Sequence, residues 1–323
     1  MNAMTTPQKP IGSPFHAKST AAEVIKGIDL SGTLAIVTGG YSGIGVETVR
    51  ALAGAGAEII VPARDIAKAK DALKPIPGNI AVASMDLADL ASVGKFAADV
   101  KASRKAVHLL INNAGVMACP EMRIGKGWEL QFGTNHIGHF VLTNELAPLL
   151  KAAKGARVVA LSSTGHKISP IRWHDIHFTK APYDKWVAYG QSKTANALFA
   201  READRRMKGD GVRAFAVHPG GIMTPLQRHL QLEEMVAAGW LDEKGEPSEM
   251  AKGLFKTPEQ GASTTVWCAT SSLLEGEGGV YCEDCNIAKL AGADAPRHAA
   301  VQPHAVDPAE AERLWRETEA MVG

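Results

Sequence analysis

The sequence predicts an α/β chain built on a doubly wound parallel sheet. Three observations carry that prediction. Short apolar runs alternate with amphipathic helical stretches from residue 34 to residue 282. The runs are nearly continuous in apolar residues, the pattern of strands covered on both faces. A glycine-rich turn stands directly between the first run and the first long helix. Strict alternation of this kind implies right-handed crossovers and helices on both faces of the sheet.

The elements follow in order. Residues 1–18 are rich in Pro, Thr and Ser and read as a flexible tail. Thr20 and Glu23, three apart, fit a capping box that starts a short helix ending near Gly27. LAIVT (34–38) leads into helix 43–55, EIIVP (58–62) into helix 65–74, and IAVASM (80–85) into helix 89–103. VHLLIN (107–112) precedes a longer helical region over 126–151. ARVVALS (156–162) is followed by a loop and helix 184–208. VRAFAVH (212–218) is the sixth run, and a helix near 258–271 leads to GVYC (279–282). About seven strands result. No composition break divides residues 19–323, which are expected to form a single domain. The irregular stretches 164–183 and 225–256 follow the fifth and sixth strands. There such a sheet gathers its loops over the ligand crevice, so both are expected to be substrate loops.

Composition narrows the function classes. Hydrophobic residues make up 46% of the chain and charged residues 21%, enough for a substantial core. Lys and Arg total 35 against 34 acidic residues, so no charge excess points to nucleic acid or an anionic membrane. No run approaches the roughly 18 apolar residues of a membrane span, and the N-terminus lacks an apolar signal segment. Four cysteines do not make a disulfide scaffold. A cytoplasmic location is expected.

The glycine-rich turn runs Thr38-Gly39-Gly40-Tyr41-Ser42-Gly43-Ile44-Gly45. Glycines let a backbone turn tightly and approach a pyrophosphate, while the helix N-terminus offers unpaired N–H groups to the anion. The spacing departs from G-x-G-x-x-G, and tight turns need glycine for steric reasons alone. Its place between strand and helix is what points to a dinucleotide.

This turn, T-G-x-x-x-G-I-G, resembles the signature of short-chain dehydrogenases/reductases. Further matches follow in that family's order: Asn112-Asn113-Ala114-Gly115 after the fourth strand, Tyr189-Gly190-Gln191-Ser192-Lys193, and His218-Pro219-Gly220 after the sixth. The resemblance covers about residues 28–290. Arg64-Asp65, Asn135-His136-Ile137-Gly138-His139-Phe140 and the long gap before Tyr189 look like the retinol-dehydrogenase and WW-domain-oxidoreductase branch, without a preceding WW domain. The resemblance implies a Rossmann-type fold and NAD(P)-dependent chemistry.

Tyr189 and Lys193 stand four apart and share a helix face. A phenol with an ordinary pKa near 10 is a poor base, and a neighbouring ammonium lowers that value. Tyr189 then exchanges a proton with a substrate oxygen. An ordinary surface pair has the same spacing; the ordered motifs favour the catalytic role. By resemblance Lys193 also holds the nicotinamide ribose. Charge developing on the substrate oxygen calls for a second donor. Ser162 and Ser163 end the fifth strand. The resemblance selects Ser163, with the register open by one residue, and leaves Ser162 as a strand-end cap. Asn135 matches the family asparagine that holds a water linked to Lys193; its alternative is a helix residue bonded to backbone. His136 and His139 lack a further metal ligand and read as packing residues. Cys282-Glu283-Asp284-Cys285 lacks the second pair or the context of a zinc or redox site. No metal is expected.

The end of the second strand discriminates the cofactors. The acidic position that holds a ribose 2′-hydroxyl falls on Ala63, and Arg64 follows. A guanidinium suits a 2′-phosphate, which favours NADP. Asp65 opposes this if it points inward, or starts the next helix; NAD stays the alternative. Asp86 and Leu87 match the adenine-contacting position, with a helix cap as the other reading of Asp86. Gly39, Tyr41, Ser42, Gly43, Ile44 and Gly45 form the turn. By resemblance Asn113, Ala114 and Gly115 run under the adenosine ribose. Pro219, Gly220, Ile222 and Thr224 wrap the nicotinamide and phosphates.

The expected activity is hydride transfer between NADP and a carbonyl or secondary alcohol. Met223, Leu226, Leu230, Leu232, Met235, Val236, Trp240 and Leu241 suggest an apolar lid and a hydrophobic substrate. Trp173, His174 and His177 are expected at the mouth. The rival readings are a non-catalytic NAD(P)H sensor and an epimerase-like enzyme. The short stretch after His218 argues against the second. Association into a homo-oligomer through helices 184–208 and 258–271 would follow the family habit.

Overall fold

The computed structural model describes residues 6–323. The helix α1 (Ala21–Ile25) opens with the expected capping box of Thr20 and Glu23. Then come β1 (Leu34–Val37), α2 (Ile44–Gly54), β2 (Glu58–Ala63), α3 (Ile66–Leu73), β3 (Ile80–Ser84), α4 (Leu90–Ser103) and β4 (Leu109–Asn112). The region expected to be one helix is corrected. It holds a small hairpin, β5 (Arg123–Ile124) and β6 (Trp128–Glu129), then α5 (Leu130–Phe132), a π-helical turn over Gly133–Ile137, and α6 (Gly138–Ala152). Next are β7 (Arg157–Leu161), α7 (Lys185–Met207) and β8 (Arg213–His218). The helices α8 (Leu232–Ala237), α9 (Glu249–Leu254), α10 (Pro258–Gly261) and α11 (Ser263–Thr270) precede β9 (Val280–Glu283) and β10 (Asn286–Ile287). A final helix α12 (Pro308–Val322), absent from the sequence reading, closes the chain.

The main sheet has eight strands in the order β10-β9-β8-β7-β4-β1-β2-β3. All neighbours are parallel except the short edge strand β10, which runs antiparallel to β9. The continuous apolar runs now have their reason. Leu34 and Ile36 of β1 enter the core beneath α4, α6 and α7, while Ala35 and Val37 enter the core beneath α2 and α11. Side chains alternate, but both faces are buried, so no polar residue interrupts the run. The strand order reverses between β1 and β4. That reversal opens the crevice at the carboxyl ends of the strands.

Residues 1–5 of the expected tail lie outside the described residues. The rest of it, 6–18, is docked rather than free. Gln8 donates to the carbonyls of Tyr281 and Ala288, both at 2.8 Å, and the Ile11 N–H donates to Asn286 at 2.9 Å. The segment lies along β9 and β10. Among the described residues no helix is long and apolar enough to cross a membrane.

The helix α12 packs on α7. Trp315 is 4% exposed, stacks on Phe199 with ring centroids 5.9 Å apart, and meets Phe140 edge-on at 4.8 Å. Trp315→Ala is therefore expected to lose about 3–5 kcal/mol of stability, read as a lower urea midpoint at unchanged slope.

Candidate active site

The glycine turn is held by the strand beside it. The Thr38 hydroxyl accepts the N–H groups of Asn113 and Ala114, both at 2.9 Å, and the Asn113 amide donates to the Thr38 carbonyl at 2.8 Å. His139 completes the lock. Its Nδ1 donates to the Asn135 carbonyl at 2.9 Å, so its Nε2 accepts from Thr38 at 2.8 Å. The buried ring is neutral, its pKa pushed down to about 4 by desolvation. His136 likewise packs, among Phe132, Phe140 and Phe199.

Gly43 is the N-cap of α2, with φ 56° and no side-chain cap. Asp65, Asp89, Asp184 and Asp307 cap α3, α4, α7 and α12. The N-terminus of α2 is thus left for an external anion. A Cβ on Gly45 would collide with the Gly39 carbonyl and stand 2.7 Å from the Asn113 amide nitrogen. Thr224 stands over Gly43, and Ile222 and Ile44 both pack on Gly261. The segment from Pro219 to Thr224 therefore folds back over the turn, as a dinucleotide site requires. This cradle fits NAD(P): an open helix end, close backbone approach and a covering segment.

The two adjacent serines make different hydrogen bonds. Ser162 donates to the Lys193 carbonyl at 2.7 Å and ties β7 to α7. Ser163 accepts the Gly165 N–H at 3.0 Å, and its side chain draws the Tyr189 pKa down against the effect of burial. Its own hydrogen is left for the phenol oxygen or a substrate oxygen. Beneath them, a Cβ on Gly165 would lie 2.7 Å from the Tyr189 ring, so the turn after Ser163 and the tyrosine are in intimate contact.

Tyr189 is pushed up to about 12 by burial, with Ser163 pulling the other way. The Lys193 ammonium donates to the Leu161 carbonyl at 3.0 Å and stands 5.6 Å from the Tyr189 ring centroid. Burial brings Lys193 itself down to about 8. Asn135 sits in the π-helical turn, a distortion frequent at functional sites. Its side chain accepts the Val116 N–H at 2.8 Å and donates to the Val116 carbonyl and to Ser192, both at 2.9 Å. The amide assigned by resemblance to a water relay thus binds protein partners. It sets Gly115 and Val116 beside Lys193.

At the adenosine end, Arg64 is exposed just beyond β2. Asp65 turns away into the helix: its carboxylate accepts the Lys68 N–H at 3.0 Å as the α3 cap. Asp86 is not the cap of α4, which is Asp89; it accepts the Ala88 N–H at 2.9 Å. The Leu87 side chain is buried in the core, leaving only its backbone for a ligand.

The substrate side needs two corrections. Much of loop 164–183 packs elsewhere: Trp173 donates to Glu310 of α12 at 2.7 Å, and His177 stacks edge-on against Phe132. The wall around Tyr189 instead comprises Met117, Ala118 and Leu230, with Trp186, Leu226, Met235 and Trp240 packed against them. Met117, Ala118 and Trp186 were missed because no local pattern marks them. Their one signal was position, just after Gly115 and just before Tyr189. The C-x-x-C is buried and its thiols are free; burial and the neighbouring Cys282 push the Cys268 thiol of α11 up.

The chain matches the short chain dehydrogenase family over residues 33–235 and belongs to it. It is an NAD(P)-dependent oxidoreductase of the retinol dehydrogenase-like branch. A "Probable oxidoreductase" of Streptomyces antibioticus is 44% identical over 89% of this chain and 97% of its own length. "Retinol dehydrogenase 11" of Mus musculus is 40% identical over 81% of this chain and 80% of its own. Among solved structures, the Pseudomonas aeruginosa RhlG/NADP active-site complex superposes with a TM-score of 0.60 and 25% identity, covering 79% of this chain and 95% of that one.

Proposed function

We propose that residues 19–323 form one NADP-preferring catalytic domain that reduces the carbonyl of a hydrophobic substrate, or oxidises the matching secondary alcohol. The observation that carries this is that Ser163 and the Tyr189 ring both stand against Gly165, beside an apolar wall of Met117, Leu230 and Trp240. The bound nicotinamide would supply or accept the hydride. Tyr189 gives its proton to the carbonyl oxygen, and Ser163 donates a hydrogen bond to the same oxygen as charge grows on it. Lys193, kept in place by Leu161, faces the ribose; Asn135 positions the strand end beside it. Arg64 reaches the 2′-phosphate, and Asp65 does not oppose it because its carboxylate caps α3. The NADP complex of the Pseudomonas relative supports the same preference.

Titrating the protein with NADPH and NADH by cofactor fluorescence, then adding hydrophobic ketones and aldehydes, tests the proposal. Tighter NADPH binding with oxidation by a panel member is expected. Binding of neither cofactor overturns it. The pH dependence follows from the raised Tyr189 value: the phenol is protonated at neutral pH. Carbonyl reduction should be flat between about pH 6 and 8, while alcohol oxidation, which needs the phenolate, rises about tenfold per unit. Rate profiles in both directions check this.

A further inference from the structure

The imidazole of His166 lies directly behind Ser163. It is fully buried, in the 3-10 turn Thr164–Lys167 that follows β7. The Ser163 carbonyl receives two donors from this one residue: the backbone N–H at 3.0 Å and the ring Nδ1 at 2.6 Å. A carbonyl can only accept, so Nδ1 carries the proton. On the far side Nε2 accepts the Gln302 N–H at 3.0 Å. The Tyr281 hydroxyl also stands 3.3 Å from Nδ1; the Ser163 carbonyl and the Gln302 N–H together select one neutral tautomer, consistent with the burial that pushes His166 down to about 4.

The segment that supplies Gln302 holds the same turn at further points. Lys167 donates to the carbonyls of Pro296, at 2.8 Å, and Ala299. His304 donates to the His166 carbonyl at 3.0 Å, which also accepts from Thr194 of α7 at 3.1 Å. Residues 296–304 lie beyond the stretch that matches the family. They nevertheless clamp the turn on which Ser163 and the Tyr189 ring both rest.

We propose that His166 is a positioning residue for Ser163, with its orientation set by the backbone of Gln302 in the segment 296–304. The hydroxyl of Ser163 reaches Tyr189 only while its own carbonyl is pinned from behind. This rests on the reading of Ser163 and Tyr189 as the reacting pair. The other titratable groups around the pair and the ring are Lys193 on α7, Tyr281 on β9, His218 at the end of β8, His304 and Lys167.

The test uses full-length protein labelled with 3,5-difluorotyrosine. The chain has four tyrosines, and the Tyr189 resonance is assigned by its loss in Tyr189→Phe. Its 19F titration needs no substrate. His166→Ala removes the donor to the Ser163 carbonyl. Gln302→Pro removes the N–H that orients the ring and sets the proline Cδ against Nε2, so the ring must turn away; φ at Gln302 is −68°, a value proline adopts. In both variants Tyr189 should titrate higher, by about half a unit or more, because the Ser163 hydrogen bond favours the phenolate. Turnover of the fastest panel carbonyl should fall about tenfold in His166→Ala at unchanged NADPH affinity. His166→Asn, whose amide nitrogen stands near the position of Nδ1, should restore most of both. Should His166→Ala not fold, Gln302→Pro decides alone. Wild-type titration in His166→Ala and Gln302→Pro overturns the inference, and so does a turnover loss that leaves the titration in place and that His166→Asn does not rescue. If Tyr189→Phe turns over like the wild type, the reading of the reacting pair falls instead.

Discussion

Tyr189→Phe should lower turnover by about 10²- to 10⁴-fold and leave NADPH affinity within about twofold of wild type. The ring is 5% exposed, lies on Gly165 and meets Trp186 edge-on at 6.4 Å. Phenylalanine keeps all of that packing. What it loses is the hydroxyl that carries the proton and the partner of Ser163. The cradle of the glycine turn is built by Thr38, Asn113 and the open end of α2, none of which involves the phenol oxygen. Single-turnover oxidation of NADPH, with the binding constant from cofactor fluorescence, separates the two effects. A rate within about threefold of wild type would remove Tyr189 from acid catalysis. A parallel loss of cofactor affinity would make its role one of packing.

Arg64→Ala should weaken NADPH by about 10- to 100-fold and NADH by less than about twofold. A charge-assisted pair of hydrogen bonds to a phosphate contributes roughly 1.5–3 kcal/mol, and a ribose hydroxyl offers no such partner. The guanidinium is exposed, so the wild-type preference should also shrink as salt rises. Isothermal titration with each cofactor at two ionic strengths checks both statements. An equal loss for the two cofactors would place Arg64 on the adenine or the shared pyrophosphate, not on the 2′-phosphate. Asp65 sharpens this prediction. Had its carboxylate faced the crevice it would repel a phosphate, but it is engaged by the Lys68 N–H.

The legible parts of this protein share one property: their signal is local. A buried parallel strand declares itself within five residues. Thus β1, β2, β7 and β8 stand within a residue or two of their expected bounds. The glycine turn and the Tyr189–Lys193 spacing are equally compact. The hairpin β5–β6 was illegible because strands of two residues cannot show alternation. The π-helical turn at Asn135 was illegible because helical periodicity does not reveal one inserted residue. Most of the site's detail depends on distant contacts. Ser162 and Ser163 are neighbours of the same type. They diverge because one hydroxyl meets the Lys193 carbonyl and the other the Gly165 N–H, beside the Tyr189 ring.

From its residues alone, then, this chain declares the α/β alternation, the turn that takes a dinucleotide, and the tyrosine–lysine pair. Each rests on backbone sterics or side-chain spacing within one or two turns of chain. Only the tertiary structure decides which partner each serine hydroxyl meets, that burial raises Tyr189 while Lys193 donates to Leu161, and that Asp65 caps a helix. It alone decides that Met117, Ala118 and Trp186 join the wall of the site, and that residues 296–304 brace Ser163. Those outcomes depend on desolvation and on hydrogen bonds between residues up to 138 positions apart in the chain, such as His166 and His304. No local pattern encodes which donor a buried carbonyl will meet.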